Sequence, residues 1–233
     1  MDKQNRRDRV SFDPRYFEKR SDRDEDRDLQ ATFSEIYRRD HWSGRESVSG
    51  EGADSTQTAE LKTALPPLLE QLEITTLLDL PCGDLNWIGE ITLPVDHYIG
   101  GDIVPELIDN NRTRYAGSSA RTFRVLDLTA DPLPPADLLL CRDCLVHFSF
   151  KDIRNALENI RNSSIRWLLT TTFTNHRENE DICTGDWRML NLQEPPFGFS
   201  PPERLIVEQC TEGDGAFRDK SLGLWLVDEL PPI

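Results

Sequence analysis

The sequence predicts an α/β fold with a seven-stranded, mostly parallel sheet, helices on both faces and an antiparallel strand pair at the C-terminus. From residue 74 onward, apolar segments of strand length alternate with amphipathic segments, as in a parallel sheet covered on both faces. The last two apolar segments are joined by a turn-rich stretch without a crossover helix, which makes that pair antiparallel. The 233 residues are enough for one such domain with a full core.

Each predicted element rests on a pattern of apolar residues. Short apolar runs bounded by turn residues indicate strands, and apolar residues three or four positions apart indicate helices. The strands are predicted at Ile74–Leu80, His97–Ile103, Phe123–Leu128, Ala136–Cys141, Ile165–Thr172, Leu205–Glu208 and Leu222–Val227. Helices are predicted at Asp28–Arg39, after Thr58, and across Pro105–Tyr115 and Phe150–Arg161. Pro66 and Pro67 predict a kink or a restart of the second helix.

Charge divides the chain into an arm and a body. Residues 1–28 carry equal numbers of acidic and basic side chains, so we predict a solvated, disordered arm that cofactor binding does not need. The net charge of −15 therefore belongs to residues 29–233. An acidic body disfavours nucleic acid and anionic membrane surfaces as partners. No segment has transmembrane length and no signal peptide is recognisable, so we expect a cytoplasmic protein.

The five cysteines are scattered along the chain. Cys141 and Cys144 have the C-x-x-C spacing of redox and zinc sites, but no second pair lies at zinc spacing. We therefore predict buried or inert cysteines and no metal site.

An aspartate lies at the end of each of the first three predicted strands: Asp79, Asp102 and Asp127. Ligands of parallel α/β sheets bind at these strand ends. A carboxylate at the second strand end suits the two hydroxyls of a ribose, and one at the third suits an adenine amino group. Gly83 allows the first turn to approach a ligand closely, because any Cβ would intrude. One such aspartate alone would be better explained as a helix cap or turn residue, but three in register predict a nucleoside site.

With these residues the sequence resembles the class I S-adenosylmethionine-dependent methyltransferases, whose Rossmann-like sheet has seven strands and ends in an antiparallel pair. The resemblance covers residues 74–172 and the late strand pair. The first turn, DLPCGDL at residues 79–85, keeps only Gly83 of the family pattern D-x-G-x-G-x-G. Residues 42–87 also resemble a bacterial subgroup of unidentified substrate.

The resemblance implies a single methyltransferase domain over residues 29–233. Within it, 29–73 supply N-terminal helices and a lid loop, 74–172 the cofactor-binding core, 173–204 an acceptor-side insertion and 205–233 the terminal strand pair. It also implies S-adenosylmethionine as cofactor and S-adenosylhomocysteine as product. Asp79 and Gly83 would border the methionine end, Asp102 the ribose, and Asp127 with Leu128 the adenine. The full set of predicted cofactor-binding residues is Trp42, Asp79, Gly83, Asp102, Ile103, Asp127, Leu128 and Arg142.

The segment CRDCLVHF at residues 141–148 resembles the fourth motif of the family, where the strand end faces the transferred methyl group. Hydroxyl acceptors generally need a base, whereas amines need only lose a proton. His147 is the predicted base, with an expected ascending pH limb near its ordinary pKa of about 6.5; the alternative is a capping or packing histidine. Asp143 could instead orient a donor, and Arg142 could pair with a carboxylate of cofactor or substrate.

Two segments are predicted to surround the acceptor. The Ser- and Gly-rich stretch His41–Thr58 suits a lid that brings Trp42 near the cofactor, although a surface tryptophan is an equal alternative. The irregular stretch 174–200 suits an acceptor pocket, with an ordinary connector as the alternative. Its candidate residues are Asn175, His176, Trp187, Arg188 and Phe197.

These features predict transfer of a methyl group to a small-molecule or sugar-like O- or N-acceptor by in-line displacement, which needs alignment and a dry pocket. The incomplete glycine pattern leaves open a catalytically silent binding or scaffold protein. An NAD-dependent oxidoreductase is the other alternative, but Gly83 lacks the neighbouring glycines of G-x-G-x-x-G. Calorimetric titration with S-adenosylmethionine and with NAD separates the three.

Overall fold

The protein is described here from a computed structural model, which covers residues 13–19, 28–42 and 44–232. A single seven-stranded sheet has the order β3-β2-β1-β4-β5-β7-β6. Strands β1 to β5 are parallel, and β7 runs antiparallel between β5 and β6. The strands are β1 (Thr76–Asp79), β2 (His97–Asp102), β3 (Arg121–Val125), β4 (Leu138–Cys141), β5 (Trp167–Phe173), β6 (Arg204–Val207) and β7 (Lys220–Leu226). The predicted fold class is confirmed.

The helices cover both faces of the sheet. They are α1 (Tyr16–Lys19), α2 (Leu29–Arg39), α3 (Ala59–Gln71), α4 (Pro105–Arg114), α5 (Phe150–Arg161) and a short turn α6 (Glu212–Gly215). Alternate residues of a strand point to opposite faces. Accordingly, Leu139 of β4 belongs to the apolar cluster that contains α2 and α5, whereas Leu138 and Leu140 belong to the cluster that contains α3.

The helix does not restart at Pro66 and Pro67, because both prolines lie within the single helix α3. Two prolines remove two backbone donors and crowd the preceding turn. Burial of the leucine stripe on one side of the helix offsets this cost. The stripe consists of Leu61, Leu65, Leu68 and Leu69, all buried. Thr58 precedes the helix without capping it, since its hydroxyl donates to the Asp54 carbonyl at 3.0 Å.

The predicted disordered arm is wrong for residues 13–19, which pack on the domain. Phe17 of α1 is 4 % exposed and joins the core cluster on the α2 side of the sheet. Charged residues outnumber apolar residues in this part of the sequence, so its composition did not indicate that Phe17 would anchor residues 13–19 to the domain. The remaining arm residues, 1–12 and 20–27, lie outside the described residues.

The five cysteines all lie within the described residues and form no disulfide, and all except Cys183 are buried. A hydrogen bond between Cys144 and Cys141, together with burial, raises the pKa of the Cys144 thiol well above its usual range, which makes it a poor nucleophile. Within the described ranges, none of the helices combines the length and the hydropathy that crossing a bilayer requires.

Candidate functional site

A cavity of about 1080 Å³, which includes space open to solvent, lies at the carboxyl ends of the central strands and is referred to below as the cleft. Strands β1, β2 and β4 end at it, where the strand order reverses, as expected for an open α/β sheet. All ten residues predicted from the sequence line this cleft. They are Trp42, Asp79, Gly83, Asp102, Ile103, Asp127, Leu128, Arg142, Asp143 and His147.

The turn after β1 adopts a conformation that needs glycine. Gly83 has a φ of 54°, and its amide donates to Asp102 Oδ2 at 3.1 Å. A Cβ at this position would lie 2.3 Å from Ser49 Oγ in the loop above. The backbone conformation and the close covering loop therefore both require Gly83, whereas the sequence prediction attributed it only to a ligand.

Asp79 and Asp102 place two buried carboxyl groups at the floor of the cleft. The Tyr98 hydroxyl donates to Asp79 Oδ2 at 2.5 Å, but burial dominates and raises the pKa of Asp79 to about 7. Burial also raises the pKa of Asp102 to about 6, although the amides of Val104 and Gly83 donate to it. Loss of water penalises the charged form of an acid, so a cation or hydroxyl donor in the cleft would stabilise both carboxylates.

Asp127 lies beyond the third strand, because β3 ends at Val125 and not at Leu128 as predicted. The backbone amide and hydroxyl of Thr129 both donate to Asp127 Oδ1 at 2.7 Å. Asp127 therefore closes a turn, and it lines the cleft as well. Asn159 Nδ2 donates to the carbonyl of the neighbouring Leu128 at 2.9 Å, which secures this loop to α5.

The predicted lid covers the cleft and is attached to it on two sides. Asp84 accepts hydrogen bonds from Ser47 Oγ at 2.8 Å and from the Val48 amide at 3.1 Å. On the other side, Arg142 Nη2 donates to the Gly52 carbonyl at 2.7 Å. Residues 44–58 are thus held over the cleft by bonds from both the β1 and the β4 strand ends.

Trp42 lies under this lid and beside His147, with ring centroids 4.5 Å apart. Its indole Nε1 is buried and has no hydrogen-bond partner among the described residues. An unpaired buried N–H costs about 1–3 kcal/mol, so a ligand that offered an acceptor to Trp42 would recover that free energy.

Arg142 belongs to a buried cluster of charges, here called the charge cluster, with Asp143, Glu208 and Lys220. Its Nη2 lies 2.7 Å from Glu208 Oε2, and its Nη1 lies 3.1 Å from Asp143 Oδ2. Lys220 Nζ is 2.7 Å from the same Asp143 oxygen. Arg142 was predicted to bind a ligand carboxylate, but the structure pairs its guanidinium with carboxylates of the chain itself.

The surroundings of Asp143 make it a poor base. Burial alone would raise its pKa, but the cations Arg142 and Lys220 outweigh burial and hold that pKa well below the usual range. Its backbone has a φ of 51°, and its amide donates to Thr171 Oγ1 at 2.8 Å. Asp143 therefore remains ionised and connects the loop after β4 to strands β5 and β7.

His147 is held in one tautomer. Its Nδ1 lies 2.9 Å from the carbonyl oxygen of Asp186, which can only accept, so Nδ1 carries the proton. Burial is the main cause that lowers the pKa of His147 to about 4. At neutral pH the ring is consequently uncharged, and Nε2 has a free lone pair.

Known proteins resemble the chain in structure and not in sequence. No protein-family model matches it, and no curated protein sequence matches it. The N-methyltransferase NodS from Bradyrhizobium japonicum WM9 is 14 % identical, with a TM-score of 0.51 over 74 % of this chain and 97 % of NodS. The methyltransferase domain of bacterial CtHen1 is 11 % identical, with a TM-score of 0.52 over 73 % of this chain and 99 % of that domain. The CMeT domain of citrinin polyketide synthase is 16 % identical, with a TM-score of 0.50 over 76 % of this chain and 52 % of that structure.

The fold is that of the class I S-adenosylmethionine-dependent methyltransferases. In this methyltransferase fold, the ten predicted residues come together because five of the seven strands are parallel and their carboxyl ends share one edge of the sheet.

The stretch 174–200 does not line the cleft, contrary to the prediction of an acceptor pocket. Arg188 instead supports the turn that carries His147, donating to the carbonyls of Leu145 at 2.9 Å and Phe148 at 2.8 Å. Phe197 is buried in the core, and Trp187 packs on Phe173 and Phe217. Asn175 and His176 likewise lie away from the cleft lining.

Two residues that support the site, Glu208 and Asp186, were not predicted from the sequence, and a third, Arg188, was predicted to line an acceptor pocket instead. Glu208 pairs with Arg142, Asp186 holds His147, and Arg188 secures the turn. Each lies more than 35 positions from its partner and belongs to no recognisable motif, as the separations of 66, 39 and 43 residues illustrate.

Proposed function

We propose that this chain is an enzyme that transfers the methyl group of S-adenosylmethionine to a small-molecule or sugar-like O- or N-acceptor by in-line displacement. One observation carries the proposal: a methyltransferase fold gathers two buried carboxyl groups and a neutral histidine in a single cleft. The Asp186 carbonyl fixes the tautomer of His147 with the proton on Nδ1, which suits Nε2 to act as a base and supports an enzyme over a catalytically silent protein.

Three features of the cleft support S-adenosylmethionine as its occupant. Asp79 and Asp102 are buried carboxyl groups whose ionised forms an ammonium group and ribose hydroxyls would stabilise. Trp42 offers a buried indole N–H without a partner among the described residues. When bound, S-adenosylmethionine supplies an electrophilic methyl group on a sulfonium sulfur. NAD is disfavoured because the first turn lacks the glycines that its pyrophosphate requires.

The chain would contribute a base and a dry, aligned environment. His147 would accept the acceptor's proton at Nε2 while Nδ1 remains bonded to Asp186. The lid, attached through Asp84 and Arg142, would shield the reacting groups from water once cofactor and acceptor fill the cleft. An amine acceptor that arrives unprotonated would use the same alignment without the base.

The charges of the cleft favour a neutral or cationic acceptor. Among the described residues that line it, the carboxylates are Asp79, Asp84, Asp102, Asp127 and Asp143, and Arg142 is the only arginine or lysine. Arg142 is already paired with Glu208 and Asp143. A phosphate group would gain no free cation here, which supports a small acceptor over nucleic acid. The free cysteines support a cytoplasmic location, which we also propose.

The direct experiment is calorimetric titration of the full chain with S-adenosylmethionine, S-adenosylhomocysteine and NAD, followed by transfer of isotopically labelled methyl groups to panels of amines, sugars and phenols. We expect the first two compounds to bind and NAD not to bind. Binding without transfer to any acceptor would favour the silent alternative, and absence of binding would exclude the proposal.

Asp102→Asn is expected to weaken S-adenosylmethionine binding at least about tenfold, since hydrogen bonds to a charged group contribute roughly 1.5–3 kcal/mol each. Asparagine is preferable to alanine because Asp102 also accepts the amides of Gly83 and Val104, and the asparagine oxygen can still accept one of them. Calorimetry measures the affinity, and the exposed Asp96→Asn is the matched control. Unchanged affinity in a folded variant would remove Asp102 from the cofactor site.

Cofactor binding is expected to weaken as the pH falls from about 8 to 5.5. In the free protein Asp79 has a pKa of about 7 and Asp102 a pKa of about 6, so both take up protons across this range. A ligand that prefers the ionised carboxylates must then displace those protons, and each group costs up to about tenfold per pH unit below its pKa. Titrations at pH 6 in buffers of different ionisation enthalpy should reveal proton release. Tyr98→Phe should move the dependence to higher pH, because the Tyr98 hydrogen bond lowers the pKa of Asp79.

A further inference from the structure

Residues 13–19, here called the docking segment, lie outside the cleft and are bonded to the loop that holds His147. The Asp186 carboxylate accepts the Phe17 amide at 2.7 Å and the Glu18 amide at 3.0 Å. The Trp187 amide donates to the Pro14 carbonyl at 3.0 Å. These bonds tie the backbone of the docking segment to consecutive residues of a loop almost 170 positions away in sequence.

The side chain of Phe17 fills a surface that Gly185 leaves open. Gly185 has a φ of 105°, and a Cβ there would lie 2.5 Å from the Phe17 ring. Phe17 is 4 % exposed, so the contact is closely packed and excludes water.

The same two loop residues hold His147 from their other side. The Asp186 carbonyl accepts His147 Nδ1 at 2.9 Å, and the Gly185 amide donates to the His147 carbonyl at 2.8 Å. Gly185 and Asp186 therefore contact the docking segment and His147 simultaneously. If loss of the docking segment shifted this loop, the Asp186 carbonyl that orients the imidazole would move with it.

A second connection runs through aromatic rings. Tyr16 and Phe17 lie 4.8 Å and 6.3 Å from the His41 ring. His41 is followed by Trp42, whose indole lies 4.5 Å from the His147 ring. The docking segment thus contacts Asp186, which orients His147, and also His41, which is adjacent in sequence to Trp42, the residue beside the His147 ring.

We infer that the docking segment and Asp186 are positioning elements of the active site, which hold the His147 imidazole in its reactive orientation without touching substrate. The inference rests on the proposed role of His147 as the base. A base must lie within hydrogen-bond reach of the proton it removes, and a displacement of about 1 Å can cost about 10²-fold in rate. Residues 13–19 of the N-terminal arm then help to position the catalytic base.

The test uses the full chain with Asp186→Ala, which removes the carboxylate but keeps the backbone carbonyl bonded to His147. Phe17→Ala is the second variant, and Glu18→Ala, an exposed side chain in the same segment, is the matched control. Asp186→Asn keeps one acceptor oxygen and should restore part of the lost function. The chain has four histidines, so NMR can follow the titration of each imidazole.

Titration of His147 reports its position without any acceptor. Its pKa of about 4 results first from burial, and the charges that influence it are Asp143, Arg188 and Lys220. Undocking admits water to this ring, so its pKa should rise by more than one unit in Asp186→Ala and Phe17→Ala but not in Glu18→Ala. With an acceptor, kcat should fall about 10- to 100-fold while the affinity for S-adenosylmethionine is unchanged.

Hydrogen exchange of the wild-type chain provides a measurement that needs no variant. The amides of Phe17, Glu18, Gly185 and Trp187 should exchange with one common free energy of opening, as a single cooperative unit. An unchanged His147 titration in variants whose docking segment has opened, or independent exchange of the two segments, would overturn the inference. Cofactor binding and methyl transfer by the wild-type chain test the proposed function separately, so failure of one does not imply failure of the other.

Discussion

His147→Asn is expected to lower the rate of methyl transfer to a hydroxyl acceptor by about 10²- to 10⁴-fold, the usual range for a lost general base. Asparagine can still donate to the Asp186 carbonyl, so the turn after β4 should keep its shape while the Nε2 lone pair disappears. The affinity for S-adenosylmethionine should remain within about twofold, because the imidazole would serve the acceptor. The exposed His97→Asn is the control.

The pH dependence of the wild-type rate sharpens this test. The base acts only when unprotonated, so kcat/KM for the acceptor, measured at saturating S-adenosylmethionine, should rise with pH through the pKa of His147, about 4, and stay flat through neutrality. The sequence alone predicted this limb near 6.5, and burial of the ring accounts for the difference. A wild-type rate in His147→Asn would show that the acceptor needs no base at this position, which would favour an amine.

Glu208→Ala is expected to reduce the free energy of unfolding by about 3–5 kcal/mol, the usual cost of breaking a buried ion pair from one side. Glu208 is 2 % exposed and lies 2.7 Å from Arg142 and 3.6 Å from Lys220. Its removal leaves those two buried cations with Asp143 as their remaining close carboxylate. For a domain of this size the melting temperature should fall by roughly 10 °C.

Urea denaturation gives the free energy for Glu208→Ala, and the exposed Glu203→Ala serves as the control because the two residues flank the same edge strand β6. Glu208→Gln keeps one of the two acceptor oxygens without the charge and should fall between the two. A loss below about 1 kcal/mol in Glu208→Ala would mean that Asp143 alone neutralises both cations.

Much of the site could be predicted from the sequence because its residues lie at strand ends, and short segments of sequence indicate where those strands are. Strands that alternate with helices run parallel, so their carboxyl ends lie at the same edge of the sheet. Asp79, Asp102 and Arg142 therefore converge even if the exact strand boundaries are predicted with an error of a residue or two. The boundary error at β3 moved Asp127 into a turn without removing it from the cleft. The pairing of Arg142 with Glu208 could not be predicted, since the two residues lie 66 positions apart in the sequence.

The sequence by itself determined the α/β fold, the switch-point cleft and ten of the residues that line it, because apolar periodicity and strand-end positions are properties of short segments. Only the tertiary structure decided that Arg142 is neutralised by Glu208, that the stretch 174–200 supports His147 from behind, and that Phe17 docks on Gly185. Such contacts join segments far apart in sequence and depend on packing distances of a few ångströms, which no local pattern encodes.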